Sequence, residues 1–185
     1  MKVFIGCSSY DDLNEVYYKE AKNFAKYLVD KDCTLVFGGS FRGIMGTVYD
    51  TFKENNGEIF AIQTEHYKED LDHLDCNKEV VKTTLNQLER FMDLSDLLVF
   101  LPGGYGTYNE LFYMICEYVN QTHNKKIVVY NINHYFDGLK NIFRTIKEEK
   151  FASLFDFVKI IDNLDEFKSY MEEECLHTEK MLLEK

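Results

Sequence analysis

Leu97-Leu98-Val99-Phe100-Leu101-Pro102-Gly103-Gly104-Tyr105-Gly106-Thr107-Tyr108-Asn109-Glu110 reads as a buried strand, a glycine-rich turn and the opening of a helix. The apolar run 97–101 suits a strand covered on both faces. Pro102, the only proline in the chain, stops it. Gly103, Gly104 and Gly106 allow backbone angles and close approaches that a β-carbon would block. Beyond Thr107, the residues Leu111, Met114, Ile115, Tyr118 and Val119 fall on one face of a helix. A glycine turn feeding a helix N-terminus offers free N–H groups and the positive end of a dipole, so it can hold a phosphate. A plainer reading competes. Thr107-x-x-Glu110 has capping-box spacing, in which both side chains serve the helix's own first N–H groups. A helix does not need a glycine turn merely to start, and that favours a ligand.

Outward from this stretch the chain alternates. Residues 2–6 are an apolar strand ending at Gly6-Cys7-Ser8-Ser9, followed by a helix with Tyr17, Ala21, Phe24, Ala25 and Leu28 on one face. Thr34–Phe37 is a second strand running into Gly38-Gly39-Ser40-Phe41-Arg42-Gly43-Ile44-Met45-Gly46, then a helix to about residue 55. A third strand spans 58–62. Residues 63–78 are polar and acidic, hold His66 and His73 without tight ligand spacing, and read as a solvated loop or lid. Val80-Val81 is a short strand, and 84–95 a helix with core stripe Leu85, Leu88 and Met92. Arg90 lies about 200° around the helix from Leu88 and faces away from that stripe.

After the opening stretch, Ile127–Tyr130, a helix near 135–148, a strand at 157–161 and a closing helix through Met171 complete the pattern. The expectation is α/β: a single-domain, Rossmann-like, doubly wound parallel sheet flanked by helices over 1–171, with a charged tail at 172–185.

Composition narrows the class. With 185 residues, 45% apolar and 15% aromatic, the chain can bury its own core. No 18-residue apolar stretch exists, so no membrane span is expected. Met1–Gly6 is too short for a signal-peptide core. The five cysteines are dispersed and include no C-x-x-C, which reads as free thiols in a cytoplasmic protein without a zinc site. A net charge of −11 argues against a nucleic-acid surface, yet leaves room for a small anion in a local pocket.

All three glycine-bearing turns follow strand ends, the edge where doubly wound sheets bind ligands. A dinucleotide site fits poorly: Gly104-x-Gly106-x-x-Asn109 lacks the third glycine, and the following strand ends at Asn131 where an acid is needed. No P-loop motif occurs. A smaller phosphorylated ligand fits best.

Pro102-Gly103-Gly104-Tyr105-Gly106-Thr107-x-x-Glu110 resembles the P-G-G-x-G-T-x-x-E signature of the LOG (Lonely guy) family. These are Rossmann-like phosphoribohydrolases, many once labelled lysine decarboxylases. Gly6-x-Ser8-Ser9, Gly38-Gly39 with Gly43-Ile44-Met45-Gly46, and Glu89-Arg90 extend the resemblance from residue 3 to about 170. It implies hydrolysis of a nucleoside 5′-monophosphate, AMP or an N6-modified form, to free base and ribose 5-phosphate, without a cofactor. Arg90 and Glu110 would be catalytic. Gly103, Gly104, Gly106 and Thr107, with Gly6, Ser8, Gly39, Gly43 and Met45, would bind substrate. A homodimer is also implied. The chain departs from the family pattern at Phe91, at Ser40-Phe41-Arg42 and at Asn109. A non-catalytic nucleotide sensor on the same fold is the alternative. Lysine decarboxylation is rejected, because no lysine sits in a recognisable pyridoxal phosphate context.

Overall fold

A computed structural model describes residues 1–152 and 157–183, the last ten of these by backbone alone. Seven strands form one sheet: β1 (Lys2–Gly6), β2 (Thr34–Phe37), β3 (Ile59–Thr64), β4 (Asn77–Val81), β5 (Leu97–Phe100), β6 (Lys126–Tyr130) and β7 (Val158–Ile161). Their spatial order is β4-β3-β2-β1-β5-β6-β7, and every neighbouring pair is parallel. The winding direction reverses between β1 and β5, where Gly6 stands opposite Phe100. A Rossmann-like sheet with its switch point at the two turns singled out by sequence is the result.

Helices α1 (Glu15–Asp30), α2 (Gly43–Glu54) and α6 (Leu164–Leu183) cover one face, and α3 (Thr84–Leu94), α4 (Tyr105–Val119) and α5 (Asp137–Glu148) the other. Strand alternation divides the core between them. Val3 and Ile5 point to the first layer with Phe24, Leu28, Val48 and Phe52. Phe4 points to the second with Phe91, Phe100, Leu111 and Met114. Each fully buried side chain of this size contributes about 1.5–3 kcal/mol. The helix starts are set locally: Asn14 caps α1, and Thr83 accepts from the Asn86 N–H at the head of α3.

Three details differ from the expectation. Residues 63–78 contain the end of β3, a 3₁₀ segment at Glu65–His73 and the start of β4, because Leu71 and Leu74 are apolar anchors buried in the core. The buried stripe of α3 is Leu88, Phe91 and Met92, while Leu85 is 51% exposed. In that first turn Gln87, not Leu85, meets the sheet, donating to the Ile62 carbonyl at 2.7 Å. Helix α6 continues past residue 171 to Leu183, through the stretch expected as a tail. Among the described residues no helix is long and apolar enough to cross a membrane.

Candidate functional site

The turns after β1, β2 and β5 are stitched together by backbone hydrogen bonds. Ser8 N–H donates to the Pro102 carbonyl at 3.1 Å, and Met45 N–H to the Ser8 carbonyl at 3.0 Å. Gly43 N–H donates to Asp11 Oδ1 at 2.9 Å. Gly43 must be glycine: its φ is +61° and a β-carbon there would fall 2.5 Å from the Tyr10 carbonyl oxygen. Gly39 packs beneath Leu71 of the 3₁₀ segment, and the Met45 sulfur accepts from the Ser40 N–H at 3.3 Å. Gly39, Gly43 and Met45 therefore shape the edge from behind.

At the β5 turn the helix starts one turn earlier than a capping box requires. Gly104 is the N-cap of α4 and Tyr105 its first residue, with no side-chain cap. Thr107 instead lies buried over Gly103, where a β-carbon would meet its Oγ1. The capping-box reading is thus overturned, since both its residues already lie inside the helix. Gly104 and Gly106 face open space, with nothing within 4 Å of a β-carbon built on either. Among the described residues, the N–H groups of Tyr105, Gly106 and Thr107 make no backbone hydrogen bond, as expected of the first turn of a helix. Such a helix end suits a phosphate.

Glu110, one turn further along, aims its carboxylate at the missing side chain of Gly6. A β-carbon on Gly6 would lie 2.7 Å from Glu110 Oε2 and 2.9 Å from the Phe100 ring. Glu110 keeps some exposed surface, but its carboxyl group lies deep, and burial pushes its pKa up to about 8. The neighbouring Cys7 thiol is pushed up by burial and then by the Glu110 charge. Among the described residues, Glu110 makes no hydrogen bond and no ion pair.

A cleft of about 240 Å³ opens over the switch point. Its floor is Ser8 with Pro102, Gly103 and Gly104, and its walls are Tyr10, Leu13, Tyr17 and Tyr135. Tyr135 donates its hydroxyl to the Gly103 carbonyl at 2.6 Å and meets Tyr17 edge-on at 6.2 Å. Glu110 does not line this cleft.

Arg90 stands elsewhere. Its Nε and Nη2 donate to the two carboxylate oxygens of Glu79 on β4, each at 2.8 Å, and Asp93 lies 4.0 Å from Nη1. The guanidinium holds the Glu79 carboxyl below its usual range. The structure brings Ser8, Gly103 and Gly104 together in the cleft, with Gly6 beside Glu110, and leaves Arg90 on the β4 side of α3. Sequence reading misses Tyr10, Tyr135 and Glu79 as site residues; for the two tyrosines the one signal is an aromatic residue shortly after the ends of β1 and β6, and for Glu79 there is none. Among the described residues, His134, Asp137 and Asp162 form a cluster that could hold a metal, but Lys140 and Asn131 already bond to its acids.

Fold and site together define a Rossmann-like α/β protein with a glycine-rich turn at its switch point. The sequence profile of the family described as "Possible lysine decarboxylase" matches residues 45–172, and the chain belongs to that family, to which the LOG resemblance points. Among its relatives, the cytokinin riboside 5′-monophosphate phosphoribohydrolase LOG5 of Arabidopsis thaliana is 28% identical over 148 residues. That match covers 75% of this chain and 61% of LOG5, so the chain spans less than two thirds of that relative. The probable phosphoribohydrolase LOG4 of Oryza sativa subsp. japonica is 26% identical over 92% of this chain and 76% of its own length.

Among solved structures, the molybdenum cofactor binding protein of Rippkaea orientalis superposes with a TM-score of 0.69 at 15% identity, covering 94% of this chain and 95% of that one. The Moco carrier protein of Chlamydomonas reinhardtii gives 0.67 at 16% identity, covering 93% and 95%. At these identities the likeness is one of fold.

Proposed function

We propose that the chain is a phosphoribohydrolase that cleaves the N-glycosidic bond of a nucleoside 5′-monophosphate, AMP or an N6-modified AMP. Water adds to C1′, the C1′–N bond breaks, the base leaves with a proton, and ribose 5-phosphate remains. The observation that carries this reading is Glu110: a buried carboxyl with no hydrogen-bond or ion-pair partner among the described residues, one helical turn from the first N–H groups of α4. An unpaired buried carboxylate costs stability, and functional sites are where such costs accumulate. Its ionised form would stabilise positive charge developing on the ribosyl ring or activate the water. The names of the LOG relatives support the same reaction.

Arg90 would join the ligand, through a ribose hydroxyl or the phosphate, on exchanging Glu79 for it. That pairing also favours the second reading, a nucleotide-binding protein without turnover, since one of the two acting groups is engaged elsewhere. Incubation with a panel of nucleoside monophosphates decides between them. Release of free base from AMP but far less from adenosine supports hydrolysis; tight binding without base release across the panel overturns it. A homodimer belongs to the same proposal, and a light-scattering mass of one chain at micromolar concentration would remove it.

A further inference from the structure

We propose that Gln63 and Gln87 form an amide bridge that positions Arg90 for the nucleotide. This rests on the reading above, in which Arg90 exchanges Glu79 for the ligand, and adds the anchor from which that exchange is made.

The two glutamines join three elements at the carboxyl edge of the sheet. Gln63, buried near the end of β3, donates through Nε2 to the Gly38 carbonyl at 2.8 Å. Its Oε1 accepts from the Thr64 N–H at 2.8 Å and from Gln87 Nε2 at 3.2 Å. Gln87, in the first turn of α3, also donates through Nε2 to the Ile62 carbonyl at 2.7 Å. One chain of hydrogen bonds therefore runs from the turn after β2, through the end of β3, to the head of α3. A buried amide left unpaired costs stability, so this chain admits one arrangement where apolar side chains would admit several.

That arrangement bears directly on Arg90. The arginine lies three residues beyond Gln87, a neighbour on the helix surface. Ile62, whose carbonyl Gln87 holds, stands opposite Glu79 in the register of β3 and β4. Gln87 and Arg90 thus grip the same rung of the sheet, one through a backbone carbonyl and the other through a carboxylate. When the guanidinium lets go of Glu79, the amide still holds α3 against β3. The exchange is then a swing of one side chain and not a shift of the helix. At its other end the bridge holds Gly38, next to Gly39, whose φ of +75° belongs to a turn with no side chain of its own to pin it. Strand β2 lies beside β1, whose Gly6 receives Glu110, so the bridge ties the support of one acting group to that of the other.

The test is a cycle of AMP affinities by calorimetric titration, on Glu110→Gln protein so that AMP stays intact. Gln87→Met keeps length and volume and removes the donor, and Gln87 is half-buried, so the fold survives its loss. Arg90→Gln removes the guanidinium and should weaken AMP by about tenfold or more. Gln87→Met should weaken AMP by about threefold or more when Arg90 is present and by less than about 1.5-fold in Arg90→Gln protein. Its lowering of Tm should be the same in both backgrounds, because that loss does not pass through the arginine. Equal weakening with and without Arg90, or unchanged AMP affinity in either single variant, overturns the positioning role. Adenine release by the wild type is read separately. An Arg90-dependent effect of Gln87→Met without release upholds the bridge and overturns hydrolysis; release with no such dependence overturns the bridge alone.

Discussion

Glu110 and Arg90, the two residues the family resemblance marks as catalytic, sit in opposite environments. Arg90 is about one-third exposed and bidentate to Glu79, a geometry that satisfies both charges. Nothing about it requires a ligand. Glu110 has a deep carboxyl, no hydrogen-bond partner among the described residues and a pKa pushed up to about 8. The contrast separates what the fold needs from what it tolerates. An arginine on an edge can be explained by its carboxylate; a buried carboxylate facing a glycine needs another explanation, and a reacting sugar supplies one.

The largest effect should come from Glu110→Gln, which keeps size and removes charge. Under the hydrolase reading kcat falls about a hundredfold or more, as for loss of an electrostatic stabiliser. Stability should move the other way. The folded-state pKa of about 8 lies above the ordinary 4.5, so between these values the folded protein binds more protons than the unfolded chain. Stability therefore falls as pH rises through that window, and the glutamine variant escapes the loss. Near pH 7 the variant should gain on the order of 1–3 kcal/mol, read as a higher Tm and a flatter pH profile. A merely structural carboxylate would lose stability on replacement. In the wild type, kcat/KM for AMP should climb with pH as the carboxyl ionises, with its midpoint near pH 8 and the plateau above that. A flat profile from pH 6 to 9 would remove the ionised glutamate from the mechanism.

Gly6→Ala is the next test. The added carbon would sit 2.7 Å from Glu110 Oε2 and 2.9 Å from the ring of the fully buried Phe100. The carboxylate can swing aside, whereas the ring cannot. Activity should drop about tenfold or more, and stability by about 1–3 kcal/mol from overpacking. Ribose 5-phosphate affinity should hold, because the α4 N-terminus is untouched. Full activity in this variant would show that the place Glu110 now occupies is not its working place.

Gly6 also marks how far the sequence could be read. The alternation of apolar runs with 3.6-residue periodicity sufficed for the parallel sheet, and glycines after strand ends located its ligand edge. Periodicity is a local signal, and these elements are local. It failed where a contact joins distant segments. Thr107-x-x-Glu110 resembled a cap because spacing alone cannot say that α4 starts at Tyr105. Leu85 resembled core because its helix position matched, while Gln87 holds that turn to β3. Tyr10 and Tyr135 are 125 residues apart and become one cleft only when the turns after β1 and β6 meet beside β5. Glu79 was invisible as a partner of Arg90, since eleven residues and a strand-to-helix turn separate them.

The smallest expected effect concerns that pair and tests whether Arg90 belongs with Glu110 after all. A partly exposed ion pair is worth about 1 kcal/mol or less, even when bidentate. Thermal unfolding of Glu79→Gln, Arg90→Gln and the double variant should therefore show a coupling of that size. Activity carries more information. If Arg90 must leave Glu79 to meet the nucleotide, breaking the pair is a cost that Glu79→Gln removes. Its kcat/KM should then rise by a few-fold, the equivalent of about 1 kcal/mol. Arg90→Gln should lose activity, and the double variant should match Arg90→Gln, because Glu79 acts only through the arginine. If Glu79 instead holds Arg90 where it works, Glu79→Gln and Arg90→Gln should fall together. Wild-type kinetics in both would leave Arg90 as an ordinary edge ion pair and Glu110 alone of the two as an acting group.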